Sequence, residues 1–148
     1  MADKLALDLK AGGLDTNVLA RYLAQDDAKQ AALSTRLIEE ELTLTQQGFI
    51  SLVVVAELCW VLSSLYGATM DELVATLEDF LNTPQFCMEK REVLQAAIGR
   101  IKAKVAASNR KVGLPDALIA EIAASAGCSA TMTFHKSAVR VAGMTLLA

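Results

Sequence analysis

Three acids and one polar segment in this chain carry side chains suited to chemistry on a phosphate ester. They are Asp15, Glu57, Asp116 and the run Thr133-Phe134-His135. They lie far apart in sequence, so only a fold can bring them together. Carboxylates that converge repel one another unless a divalent cation neutralises them. Oxygen-rich sites of that kind suit Mg²⁺ or Mn²⁺. A cation so held activates water for hydrolysis.

Each residue also has a plainer reading. Asp15 stands between Leu14 and Thr16-Asn17-Val18-Leu19, where an aspartate is among the best helix caps. Asn17 reads equally as a turn residue or as a hydrogen-bond donor supporting the acids. Glu57 has Val53, Val54, Trp60 and Val61 as its helical neighbours. A carboxylate buried in such an apolar face is costly unless it is paired or holds a cation, and a salt bridge remains an alternative. Asp116 follows Pro115 in the first turn of a predicted helix, where the helix dipole alone favours an acid. His135 is the sole histidine; it reads as incidental or as a further candidate metal ligand. Thr133 reads as an edge-of-strand residue or as a hydroxyl aimed at metal-bound water.

Other machinery is missing. The chain has no P-loop, no G-x-G-x-x-G and no G-x-S-x-G. Cys59, Cys87 and Cys128 are an odd, unclustered set with no C-x-x-C, which argues against a disulfide framework or a zinc site and fits a reducing cytoplasm. The N-terminus has early acids and no apolar signal core. The longest apolar run, 49–62, contains Ser51 and Glu57 and is too short to span a bilayer.

At 148 residues, 53% hydrophobic and 21% charged, the composition is that of one globular domain rich in helix. The net charge of −3 disfavours a protein that coats nucleic acid. Charge is uneven, however. Between Glu89 and Lys111 the basic residues Lys90, Arg91, Arg100, Lys102, Lys104, Arg110 and Lys111 outweigh Glu89 and Glu92. This stretch is either a solvated helix face or a grip for a phosphate backbone, with Arg100, Lys102, Lys104, Arg110 and Lys111 as the candidate contacts.

The elements that must position these groups follow from periodicity and turn chemistry. Residues 4–10 alternate apolar and polar, as a half-buried strand would. The preferred reading nevertheless makes 1–10 an extension, puts a short strand around 12–15, and leaves 11–148 as the domain. Helices are predicted over 17–24, 28–44 (capped by Asp26-Asp27, with Glu39-Glu40-Glu41 on its wet face), 52–66, 70–81 and 89–107. Further helices are predicted from Pro115 to about Gly127 and over 136–141. Strands are predicted at 49–51, 85–88, 129–133 and 144–147. The triplet Val53-Val54-Val55 blurs the boundary between the strand at 49–51 and its helix, because β-branched residues favour strand. Strands alternating with helices through short connections predict an α/β fold with a parallel sheet. In such sheets reactive groups collect beyond the carboxyl ends of the strands.

The stretches 14–23, Val55-Ala56-Glu57-Leu58, 116–120, 131–136 and 142–147, in this order and spacing, resemble the PIN domain, in particular the VapC-type toxins of toxin–antitoxin pairs. The resemblance implies a single domain with a central parallel sheet of about five strands flanked by helices. It implies endonucleolytic cleavage of RNA, often at structured or tRNA-type sites, with Mg²⁺ or Mn²⁺ as cofactor. It implies a cognate antitoxin that blocks the groove, and a homodimer. Carried over by position, Asp15, Glu57 and Asp116 are the catalytic, metal-binding acids, and Asn17 and Thr133 are supporting groups. The chain departs from the family pattern twice. His135 stands where a fourth acid is usual, and Gly113 where members often carry another aspartate. The expectation is therefore a metal-dependent endoribonuclease. The alternative is a catalytically weakened PIN-fold module that binds RNA or a partner, with His135 as the feature that favours it.

Overall fold

The computed structural model describes residues 12–105 and 113–147, with side chains up to Ala103 and again from Gly113. Residues 1–10, read above as an extension, lie outside the described residues. The chain divides into two compact units, Met1–Glu89 and Lys90–Ala148.

The first unit alternates strand and helix. In order it contains β1 (Gly12–Gly13), α1 (Thr16–Ala24), α2 (Ala28–Arg36), a π-helical turn (Leu37–Glu41), β2 (Gly48–Ile50), α3 (Leu52–Tyr66), α4 (Met70–Leu81) and β3 (Phe86–Met88). The strands pair in the order β1-β2-β3, all parallel, with Gly12 opposite Gly48 and Phe49 opposite Cys87. Two further bonds continue the ladder, from Leu14 N–H to the Phe49 carbonyl and from Glu89 N–H to the Ile50 carbonyl, both 2.8 Å. Because the strands are parallel, their carboxyl ends share one edge. Asp15, Ser51 and Glu89 follow there.

The boundaries of these helices are set by caps. Asp27 accepts from Gln30 N–H at the start of α2. Thr69 and Glu72 form a reciprocal capping box on α4. At α3 the Ser51 hydroxyl oxygen accepts from Val54 N–H, and Glu89 Oε1 takes Leu52 N–H at 2.8 Å. With two of its orphan donors satisfied, the helix starts at Leu52, and capping overrides the strand preference of the valine triplet. The predicted helix over 28–44 is shorter than expected. It ends as α2 at Arg36 and widens into the π turn, where Leu42 N–H bonds the Leu37 carbonyl. The wide turn keeps Ile38 and Leu42 both buried while Glu39, Glu40 and Glu41 stay exposed, as the sequence predicts.

Leu19, Ile50, Val55, Leu58, Leu77 and Phe80 are among the buried side chains of this unit. Phe80 meets Phe86 edge to face, with centroids 5.3 Å apart. At the surface, Arg21 on α1 and Tyr66 at the end of α3 both bond Asp26, at 3.1 and 2.7 Å. The Tyr66 hydroxyl is the main cause that holds the Asp26 carboxyl below the usual carboxylate range.

The second unit contains α5 (Arg91–Val105), α6 (Leu114–Ser125), β4 (Met132–Thr133), α7 (Lys136–Ala142) and β5 (Thr145–Leu146). Helices α5, α6 and α7 pack on one another. Their buried residues include Leu94, Ile98, Ile101, Leu114, Leu118 and Val141. Strand β5 pairs with β4 in parallel, Met132 opposite Thr145. The fold class is therefore α/β with parallel strands. Among the described residues there are five strands, hydrogen-bonded as a set of three and a set of two. The expected single ladder of five is not formed among them, because β1, β4 and β5 are only two residues long and each offers few backbone groups for pairing.

Candidate functional site

The geometry of the first unit gathers two of the predicted acids on one residue, Thr16. Asp15 follows the β1 edge and caps α1, its Oδ1 accepting Thr16 N–H at 2.8 Å. The Thr16 hydroxyl donates to Glu57 Oε1 on α3, also at 2.8 Å. Thr16 is 5% exposed and, with Ser34, is one of two buried polar side chains among the described residues. Asp15 and Glu57 are both exposed. The capping role of Asp15 is real, and it occupies one of the two carboxylate oxygens.

The reason given above for singling out Glu57 needs correction. Its apolar neighbours do not bury it: Val53 is 70% and Trp60 63% exposed. Glu57 sits on an open apolar face of α3 and meets water as well as Thr16, so no desolvation cost forces a cation on it. What ties it to Asp15 is the Thr16 hydroxyl. Asn17 is exposed in the first turn of α1.

The remaining candidates belong to the second unit. Asp116 is half-buried in the first turn of α6. Its N–H bonds the carbonyl of the capping residue Gly113 at 3.0 Å. A Cβ placed on Gly113 would lie 3.1 Å from Asp116 Oδ2. The absence of a side chain at 113 thus leaves the Asp116 carboxylate uncrowded, where another acid would press against it. Thr133 is half-buried at the end of β4, and its Oγ1 accepts His135 N–H at 3.0 Å, closing the turn into α7. His135 caps α7 through its backbone; its ring is exposed and makes no capping bond.

Of the basic candidates, Arg100 is engaged within its own unit. Its guanidinium pairs with Glu121 and donates to the Ala142 carbonyl, at 3.1 Å for the latter. It passes so close to Gly143 that a Cβ there would meet Nη1 at 2.5 Å. Gly143 also ends α7 at a φ of 66°, which glycine adopts without strain. Lys102 is exposed on α5. The side chain of Lys104, and Arg110 and Lys111 altogether, lie outside the described residues.

One contributor has no mark in the sequence: Thr16 carries no signal beyond being a hydroxyl next to Asp15. Among the described residues no cluster of three or more His, Cys, Asp or Glu side chains forms a ready-made metal cage. No helix among them is long and apolar enough to cross a membrane.

In comparison with protein families, the model for the PIN domain matches residues 14–144, a range that includes residues of both units. No curated protein matches the chain.

Proposed function

The chain belongs to the PIN domain family, a nuclease-type fold whose members commonly bind nucleic acid and use divalent metals, and from that premise we propose that it is a metal-dependent endoribonuclease, the toxin of a toxin–antitoxin pair. The observation that carries this reading is the joining of Asp15 and Glu57 through Thr16 beyond the carboxyl edge of the parallel strands, where α/β folds gather their reactive groups.

Asp15, Glu57 and Asp116 would hold Mg²⁺ or Mn²⁺. All three offer carboxylate oxygens, which these hard cations prefer. When bound, the cation supplies a more acidic water and stabilises charge developing on a phosphodiester. Asn17 and Thr133 would supply neutral hydrogen-bonding groups. His135 would be an additional nitrogen donor, which suits Mn²⁺ better than Mg²⁺. Lys102, Lys104, Arg110 and Lys111 would hold the RNA backbone. Arg100 serves mainly to tie α5 to α6 and α7, given its bonds to Glu121 and Ala142.

Val53 and Trp60, exposed on either side of Glu57 along α3, offer an apolar seat for an antitoxin segment that covers the acids. A homodimer and a cytoplasmic location complete the proposal.

The test is cleavage of total RNA with Mn²⁺ by the wild type and by Asp15→Asn and Asp116→Asn. We expect both variants to lose activity, by a factor of 100 or more, while keeping wild-type circular dichroism. Equal cleavage by all three proteins would refute the assignment. In the second reading, a binding module with a degraded site, His135 in place of an acid is the favouring feature. That reading predicts little native cleavage with any metal.

A further inference from the structure

Glu57 is exposed, yet it is not free to swing: the buried Thr16 hydroxyl donates to its Oε1 at 2.8 Å, while the Thr16 N–H holds Asp15 Oδ1 at the same distance. We propose that Thr16 is a positioning residue, which sets the Glu57 carboxylate beside Asp15 in a cation-ready arrangement before any metal arrives. The inference rests on the metal-site reading above and deepens it.

The chemistry of the pair gives the direction of the effect. An ionised carboxylate has no proton to give, so the hydroxyl must be the donor. A neutral donor on Oε1 leaves the negative charge on Glu57 intact and leaves Oε2 for a cation. A lysine or arginine in the same place would compete with the cation for that charge. Glutamate also has several rotatable bonds, and fixing them costs on the order of 1–2 kcal/mol. Thr16 meets part of that cost in the folded protein. Its own position is secured twice. It begins α1 directly after the β1 edge, and its side chain is enclosed at 5% exposure. The hydroxyl therefore speaks for the place of the strand edge, and Glu57 for the place of α3, so the bond couples two elements to one carboxylate pair.

The experiment is calorimetric titration of the resting, metal-stripped protein with Mn²⁺ alone, comparing wild type, Thr16→Val and Thr16→Ser. Valine keeps the branched shape and loses the donor; serine keeps the donor and loses a methyl. Partners that orient a metal ligand typically change metal affinity about 10–100-fold when removed. We expect Thr16→Val to weaken Mn²⁺ binding by about tenfold or more and Thr16→Ser to stay within about twofold of wild type. Cleavage at saturating Mn²⁺ should change far less than the metal concentration needed for half-activity.

Unchanged Mn²⁺ affinity in Thr16→Val would overturn the inference while leaving the metal site standing. So would an equal loss in the valine and serine variants, since keeping the hydroxyl would then give no advantage and the loss would reflect packing around residue 16. If Thr16→Val fails to fold, Thr16→Ala is read by the same criteria. Absence of saturable Mn²⁺ binding in the wild type would overturn the metal-site reading itself, and this inference with it.

Discussion

Single residues in this chain do two jobs at once. Asp15 caps α1 and stands as a candidate ligand; the first role uses Oδ1 only, so the roles do not conflict. Glu57 was legible as a candidate from its place in the sequence, but for a reason that fails, since Val53 and Trp60 beside it face solvent and Glu57 is itself exposed. A helical pattern cannot tell a buried apolar face from one kept open for a partner. Thr16 was not legible at all, because its burial depends on how β1 and α3 approach it. The cysteines divide in the same way. Cys59 is enclosed in α3, and burial pushes its thiol up to about 12, whereas Cys128 is exposed. The thiolate is the reactive form. Iodoacetamide at pH 8 should therefore label Cys128 in the native protein and spare Cys59, as read by peptide mass spectrometry. Rapid labelling of Cys59 without unfolding would contradict its placement.

At the level of elements, caps made the helices legible and their absence hid the strands. Asp27 lies in the pair read as a cap and does cap α2; Ser51, read as the end of a strand, and Thr69, which the sequence reading passed over, cap α3 and α4. Helices 52–66 and 70–81 are found with the boundaries the sequence predicts. Strands of two or three residues show too little alternation to fix their ends: 129–133 was predicted and only Met132–Thr133 pairs. The π turn at 37–41 left no sequence signal, since its extra width answers to the burial of Ile38 and Leu42. The capping box on α4 provides a direct test. Thr69→Ala should lower stability by about 1 kcal/mol in urea melts, and no change would mean the box contributes nothing. The Thr69 N–H is the main cause that holds the Glu72 carboxyl below its usual range. A lowered folded value means that this contribution is present above the unfolded carboxyl's pKa. It is lost as pH falls through the lowered value, so the penalty of Glu72→Ala should shrink under acid conditions.

For the molecule as a whole, the order of motifs was more informative than any one of them. Each of Asp15, Glu57 and Asp116 has an ordinary structural explanation by itself. With the motifs at family-like spacing over about 14–147, they read as the PIN pattern, and the family match covers 14–144. The α/β class with parallel strands follows from the alternation of elements and is what the fold contains. What could not be read was the division into units of three and two paired strands, because pairing between distant short strands leaves no local trace. The two departures bear on function differently. Gly113 leaves room beside Asp116, whereas His135 would change the donor chemistry of the proposed site. The central claim, a working metal-dependent ribonuclease despite His135, is tested most directly by one assay. Metal-stripped wild type and His135→Asp are each given RNA with and without Mn²⁺. The account predicts no cleavage without metal, cleavage by the wild type once Mn²⁺ is added, and at most a severalfold gain in His135→Asp. An inert wild type beside a strongly active His135→Asp would contradict it and establish the native protein as a binding module.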